Sequence, residues 1–376
     1  MIIIDPVIVT DAVLTSTNVP NEFPSYLADG VYGPDDQVIV DAADLHDVYR
    51  QLAGVTMAVT LTIATPCVVT KTAHGLLANA PIKLNTTGAL PTGITAGATY
   101  YVLAPTTNTF NISATPGGAA IATTGSQSGI HTLTSNSIGH YPLTSPTYWV
   151  RVGVKNALKM FDAFNNTATE NPESIVVVLD PVLLATGIYL SVDADDIEIE
   201  MEDALDGVVF QRTEDLITSN SGSSFWNWYF RRIVRKNWFL AIDMPMYAGA
   251  TITVSINKPG GIAKCWMASV GSVNDIGGTF WGVGEGIEDY SDSDFDVDGT
   301  STDVIRGFAK TLECDIEIET SQRDGLLELF ASYRRRPLVW IMSPDFSPIF
   351  GVYQSFKTIL SNLRKSRMSL EIKGKI

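Results

Sequence analysis

The side chains that could do chemistry are few, and their spacing suits none of the familiar reactions. The four histidines, His46, His74, His131 and His140, fall in no HExxH, HxH or His–Cys pattern of the kind that holds zinc. There is no GxSxG elbow, no Walker loop and no GxGxxG between a strand and a helix. The glycine run Gly282–Gly286 (GVGEG) sits where a β-hairpin should begin, so it would not present a helix N-terminus to a phosphate. Acids are plentiful, but catalytic carboxylate pairs are defined by separation in space and not by spacing along the chain. The run from Asp292 through Asp294, Asp296 and Asp298 to Gly299 has the look of an opening calcium loop. Counted from Asp294, however, the position that must supply a bidentate acid is Ile305. The run reads as a solvated hairpin tip turning at Asp298–Gly299. These failures lead to the expectation of a protein that is not an enzyme and has no metal and no cofactor.

Two aromatic groups invite a binding role instead. Residues 225–238, FWNWYFRRIVRKNW, interleave aromatics with bases, as a nucleic-acid stacking surface would. A net charge of −16 opposes that use and favours protein–protein contact through Trp226, Trp228, Arg231 and Arg232. The second group, Tyr26, Tyr32, Tyr49, Tyr148 and Trp149, flanks a Thr-rich segment on both sides. Exposed aromatic faces stack on sugar rings. The competing reading is a small core, because a short module needs its aromatics inside.

The elements that must position these residues are mostly strands. Hydrophobic residues make up 45% and charged residues 18% of the 376, a balance that buries cores and excludes a disordered chain. Residues 1–22 give one apolar strand, Ile2–Ile4 with Val7–Val9, then a Thr/Ser/Asn/Pro stretch, and read as a docking arm. Residues 57–136 carry only Lys71 and Lys83 as formal charges, with short strands at Val59–Ile63, Cys67–Thr70, Ile82–Leu84, Thr99–Leu103, Thr109–Ser113 and His131–Leu133. Residues 23–56 and 137–153 frame that segment. Residues 154–268 show the alternation of a β-sandwich, including Thr251–Ile256. Residues 269–376 read as α+β, with a helix over Ser321–Arg335 capped by Thr320 or Ser321 and stopped by Pro337. The fold class expected is therefore mainly β and multi-domain.

Charge is distributed unevenly. Residues 189–220 hold ten acids and one base, and residues 285–303 hold eight acids and no base. Residues 331–376 hold nine bases against Asp345 and Glu371. Such asymmetry suits subunits that meet in an assembly, and Arg364, Lys365 and Arg367 are the interface candidates at that end. Cys67, Cys265 and Cys314 form no CxxC and read as buried, unreactive hydrophobes. No apolar run approaches the roughly 20 residues of a membrane span, and MIIID lacks the features of a signal peptide, so synthesis and folding in a cytoplasm are expected.

Residues 23–55 with 140–153 resemble a chitin-binding-type carbohydrate-binding module, through Tyr26, Tyr32, Gly33–Val38, Tyr49, Pro146 and Trp149. The first aromatic, ordinarily Trp, is Tyr26. Residues 57–136 are similar to a small β-barrel repeat of phage tail proteins, with markers Ala73–Gly75, Tyr100–Val102, Asn108–Phe110 and Ala114–Gly118. Residues 141–376 resemble phage and prophage tail-tip or baseplate proteins, through TYWVRVGVKNALKMFD, FWNWYFRRIVRKN, GGTFWGVGEGIEDYS, RGFAKTLE and SLEIKG. The resemblance implies a galactose-binding-like sandwich and a C-terminal α+β domain in a virion structural protein at the distal tail. It implies distal-tail, hub, fibre or peripheral baseplate proteins as partners, and a homo-oligomer around the tail axis. The alternative is a receptor-binding tail protein that holds a host-surface glycan through Tyr26, Tyr32, Tyr49 and Trp149; the net charge and the lack of a long apolar run argue for no nucleic acid and no membrane insertion.

Overall fold

Every buried backbone N–H and C=O needs a partner, and the pairing of strands divides the chain into two units. Residues 1–20 with 156–376 form the first, and residues 21–155 form the second. The computed structural model describes residues 1–10, 12–27, 32, 35–42, 45–52, 55–135, 141–218, 229, 234–295, 298, 301–343, 346–360 and 363–375. The fold is mainly β, with several sheets, a closed six-stranded barrel and a small helix near the C-terminus.

The first unit is organised by a 14-stranded sheet among the described residues. Its longest member, Thr251–Asp275, pairs with Thr169–Leu179 on one side. On the other it pairs with Asp196–Asp203 and then with Gly187–Asp193. The sequence suggested a strand over Thr251–Ile256 only, because Lys258-Pro-Gly-Gly261 reads as a stop. In the structure the register shifts here, opposite Glu173, which takes φ 67°. A bulge bends a strand and changes which residues face inward. Ile252, Val254 and Ile256 before it and Ala263 and Cys265 after it consequently face one core, with Ile175, Val177, Ile188, Leu190, Ile197 and Ile199.

The far end of the long strand meets the N-terminal strand Ile2–Pro6, with Ile2 opposite Asp275 and Pro6 opposite Gly271. The other edge of that strand pairs with Leu338–Ile341. Ile3 and Ile4 are both fully buried, Ile3 among Trp340, Phe330 and Ile316, and Ile4 among Tyr189, Met267 and Val339. A strand covered on both faces reads as an unbroken apolar run, which is what Ile2–Ile4 is. It joins the strands of residues 169–275 to those of residues 278–374 in one sheet.

Beyond it the sheet continues through Leu338–Ile341, Ile349–Ile359, Lys365–Gly374 and Phe308–Glu319. The helix Arg323–Ser332, preceded by a 3-10 turn at Thr320–Gln322, is shorter than the Ser321–Arg335 expected. Thr320 does not cap it; its hydroxyl instead hydrogen-bonds with that of Ser366 at 2.9 Å. The chain leaves the helix through Arg335 at φ 62°. Leu326, Leu329, Phe330 and Tyr333 form the packed face at i, i+3, i+4 and i+7. Phe330 stacks on Phe356 at 4.9 Å between ring centres.

In the second unit, Gln37–Ala42, Leu45–Gln51 and Trp149–Val154 make a three-stranded antiparallel sheet. Between the last two strands the chain runs through the barrel. Its strands Val55–Leu61, Val68–Thr70, Thr109–Ser113, Thr99–Leu103, Pro81–Thr86 and His131–Ser135 close in that order. Alternate residues such as Val69, Leu84, Val102, Ile112 and Leu133 fill it. The chain is thus interrupted twice: the barrel within the small sheet, and the whole second unit within the first.

Candidate interaction surfaces

The aromatics expected to face sugar come together in the three-stranded module. Tyr26 and Tyr32 stack at 5.6 Å, and Trp149 meets both edge-on at 6.0 and 5.4 Å. Tyr49 and Trp149 are buried with Val38 and Val40, and Tyr26, Tyr32 and Tyr148 pack around them. Burial pushes the Tyr26 and Tyr49 phenols above their ordinary pKa. Trp149 is 2% exposed and has no face free for a ligand. This arrangement is first of all a core.

Two charged clusters hold the interrupted halves of that module together. Arg151 grips the buried Asp47 through both carboxylate oxygens, at 2.6 and 2.7 Å. His46 and Lys155 lie 2.8 and 3.2 Å from the same oxygen of Asp41. Burial alone would raise the Asp41 pKa, but the bonds to His46 and Lys155 outweigh it and hold the carboxyl below its usual range. The contribution of this pairing to stability is therefore present above the ordinary carboxylate pKa and fades as pH falls through the lowered one.

At the C-terminal end, Lys365 pairs with Glu317 and Arg367 with Asp315 across the ladder that joins their strands. The hydrogen bond from Arg367 holds the Asp315 carboxyl below its usual range. The Arg364 carbonyl accepts from the Thr320 amide at 2.9 Å. Lys365 and Arg367, both basic interface candidates, thus have partners inside the chain. Trp226, Trp228, Arg231 and Arg232 lie outside the described residues, as do His140, Asp296 and Gly299. Among the described residues no cluster of His, Cys, Asp or Glu could hold a metal ion, and no helix is long and apolar enough to cross a membrane.

The sequence reading missed two surfaces. One is carried by the strand Gly284–Asp289, exposed throughout, and the paired strands Asp292–Phe295 and Ser301–Val304. The other is a groove lined by Pro6, Val7, Ile8, Val182, Leu183 and Leu184. Their signal was present in Trp281, Ile287, Ile305 and the Val182-Leu-Leu184 run, apolar side chains set among acids, turns and prolines.

No protein-family model matches the sequence, and no curated protein matches it either.

The cysteines are all free and buried. Burial pushes their thiols up, that of Cys314 to about 11. Only a thiolate attacks a disulfide reagent, so native protein should react with Ellman's reagent slowly at neutral pH and release three equivalents at once in denaturant. Rapid reaction of the native protein would show that one thiol is accessible.

Proposed function

We propose that the chain is a structural protein of a bacteriophage tail, a baseplate or tail-tip subunit that joins the distal tail to the hub and to peripheral parts. The observation that carries the reading is the nested interruption of one β unit by a second that is itself interrupted by a small barrel. A loop accepts an insertion when its ends stay where the host fold needs them. One subunit can in this way supply a continuous scaffold and display further modules from it. The resemblance of residues 57–136 and 141–376 to tail proteins, and the uneven charge, support the same role. Host-glycan binding is the weaker reading, because Tyr49 and Trp149 are used up as core.

The test is the composition and geometry of particles. Phage or tail-like particles purified from the encoding strain should contain the chain in stoichiometric amount, with antibody against residues 21–155 decorating the distal tail. Particles that lack the chain, or carry it only in trace, would overturn the reading.

A further inference from the structure

A cavity of about 350 Å³ opens in the first unit, at the edge of the core that surrounds Ile4. Its volume falls within the range of about 300–1,000 Å³ usual for small-ligand sites. Strands of the one large sheet supply most of its wall, so the site is built on rigid elements. Gly187–Asp193 brings Tyr189, and Thr251–Asp275 brings Met267. Trp238 and Phe350 come from the strands Trp238–Ala241 and Ile349–Ile359, and Phe308 and Lys310 from Phe308–Glu319.

Three chemistries converge in the lining. The first is charge. Among the described lining residues there is no Asp or Glu, but there are two lysines, Lys310 and Lys375. Neither pairs with an acid among the described residues, whereas the neighbouring Lys373 pairs with Glu288 at 2.6 Å. Lys310 Nζ donates to the neutral Ser347 hydroxyl at 3.2 Å, and the Lys375 amide donates to the Phe350 carbonyl at 2.9 Å. The chain as a whole carries net −16 and repels anions, and this cavity reverses that locally. The second is hydrogen bonding. Asn165, Asn166 and Asn237 line the same space, and their side-chain amides meet no protein partner among the described residues. Each amide can donate and accept at once, which suits hydroxyl groups. The third is an aromatic wall of Trp238, Phe308 and Phe350. The Trp238 indole is held by the Lys236 ammonium, 3.8 Å from its ring centroid, and Lys236 is itself paired with Glu214 at 2.6 Å.

An inorganic anion would use the lysines alone, and an apolar ligand the rings alone. We infer that the cavity binds a sugar ring bearing a carboxylate or a phosphate. Lys310 and Lys375 take the anionic group through charge-assisted hydrogen bonds. Asn166 and Asn237 take the ring hydroxyls, and the aromatic wall takes the apolar C–H surface of the ring. Uronic and sialic acids and sugar phosphates share that chemistry. The site uses none of the aromatics around Trp149, and it lies in the first unit, not the second. The inference goes beyond the tail reading and does not need it.

Calorimetric titration and saturation-transfer NMR on the full-length protein test it. The probes are glucuronate, galacturonate, N-acetylneuraminate and glucose 6-phosphate, set against glucose, galactose and inorganic phosphate. At least one charged sugar should bind roughly tenfold or more tightly than the neutral sugars and than phosphate, and which one binds separates carboxylate from phosphate recognition. Lys310→Gln with Lys375→Gln should abolish that preference. Both lysines are exposed, so matching circular dichroism melts will establish that the variant folds; Lys375→Gln alone is the milder version. Asn237→Ala should weaken the charged sugar severalfold. Arg334→Gln with Lys357→Gln removes the same charge from exposed positions outside the cavity and should leave binding unchanged. No binding of any charged sugar at about 10 mM, neutral sugars or inorganic phosphate that bind as tightly, or a double-lysine variant that keeps the preference would each overturn the inference. Binding by a chain that proves absent from particles would keep this site and remove only the tail assignment.

Discussion

A chain that starts at Val7 should lose the cooperative unfolding transition of the first unit. The strand it lacks is interior: Ile2–Pro6 separates the end of Thr251–Asp275 from Leu338–Ile341 and pairs with both. Its removal uncovers two strand edges together and empties the sites of Ile3 and Ile4 on opposite faces. Each of these is fully buried, and an Ile→Ala change at such a site costs about 2–5 kcal/mol. The total stability of a domain is about 5–15 kcal/mol, so Ile3→Ala with Ile4→Ala alone should remove most of the margin. Gly271 supplies an internal control. A Cβ there would lie 1.8 Å from the Asp5 carbonyl oxygen, so Gly271→Ala should displace the N-terminal strand and be strongly destabilising. Hydrogen exchange across residues 271–275 and 338–341 reads the effect directly. Unchanged protection in the truncated chain would show that the strand is dispensable.

That strand also shows what local sequence could and could not convey. Its apolar run was plain, and so was its strand character. Its partners lie some 270 and 340 residues away along the chain, and no local pattern names a partner at that distance. The long strand Thr251–Asp275 was hidden for a related reason: Pro259, Gly260 and Gly261 are turn residues, and only the tertiary fold decides whether they reverse a strand or kink it. The six barrel strands were legible because each alternates and is bounded by turn chemistry, and because the segment has almost no charge to confuse the pattern. Among candidate site residues, the grouping of Tyr26, Tyr32, Tyr49 and Trp149 was legible from their types, but burial was not, since a sugar platform and a small aromatic core share a composition. For Lys365 and Arg367 the basic run suggested outward contacts. The ladder register instead places Glu317 and Asp315 within reach, and exposed pairs of that kind contribute little to stability.

Trp149 is where these alternatives separate most sharply. Trp149→Ala should open the three-stranded module, at a cost of about 3–5 kcal/mol for a buried tryptophan. The module has little to set against that loss: its buried core is Val38, Val40, Tyr49 and Trp149, and Tyr26 and Tyr32 rest their rings against the indole. The indole also anchors the strand Trp149–Val154 opposite Gln51, across the point where the barrel interrupts the chain. Hydrogen exchange in the variant should therefore accelerate across residues 37–51 and 149–154. The barrel strands Pro81–Thr86 and Thr109–Ser113 draw on a separate core and should stay protected. Tyr32→Phe is the milder comparison. It removes the hydroxyl that accepts from the Leu27 amide at 2.6 Å and should cost about 1 kcal/mol. A sugar platform would behave in the opposite way, since alanine in place of an exposed stacking ring leaves exchange unchanged and abolishes retention on a glycan matrix. Protection in Trp149→Ala equal to wild type would therefore remove the core assignment and restore the glycan reading.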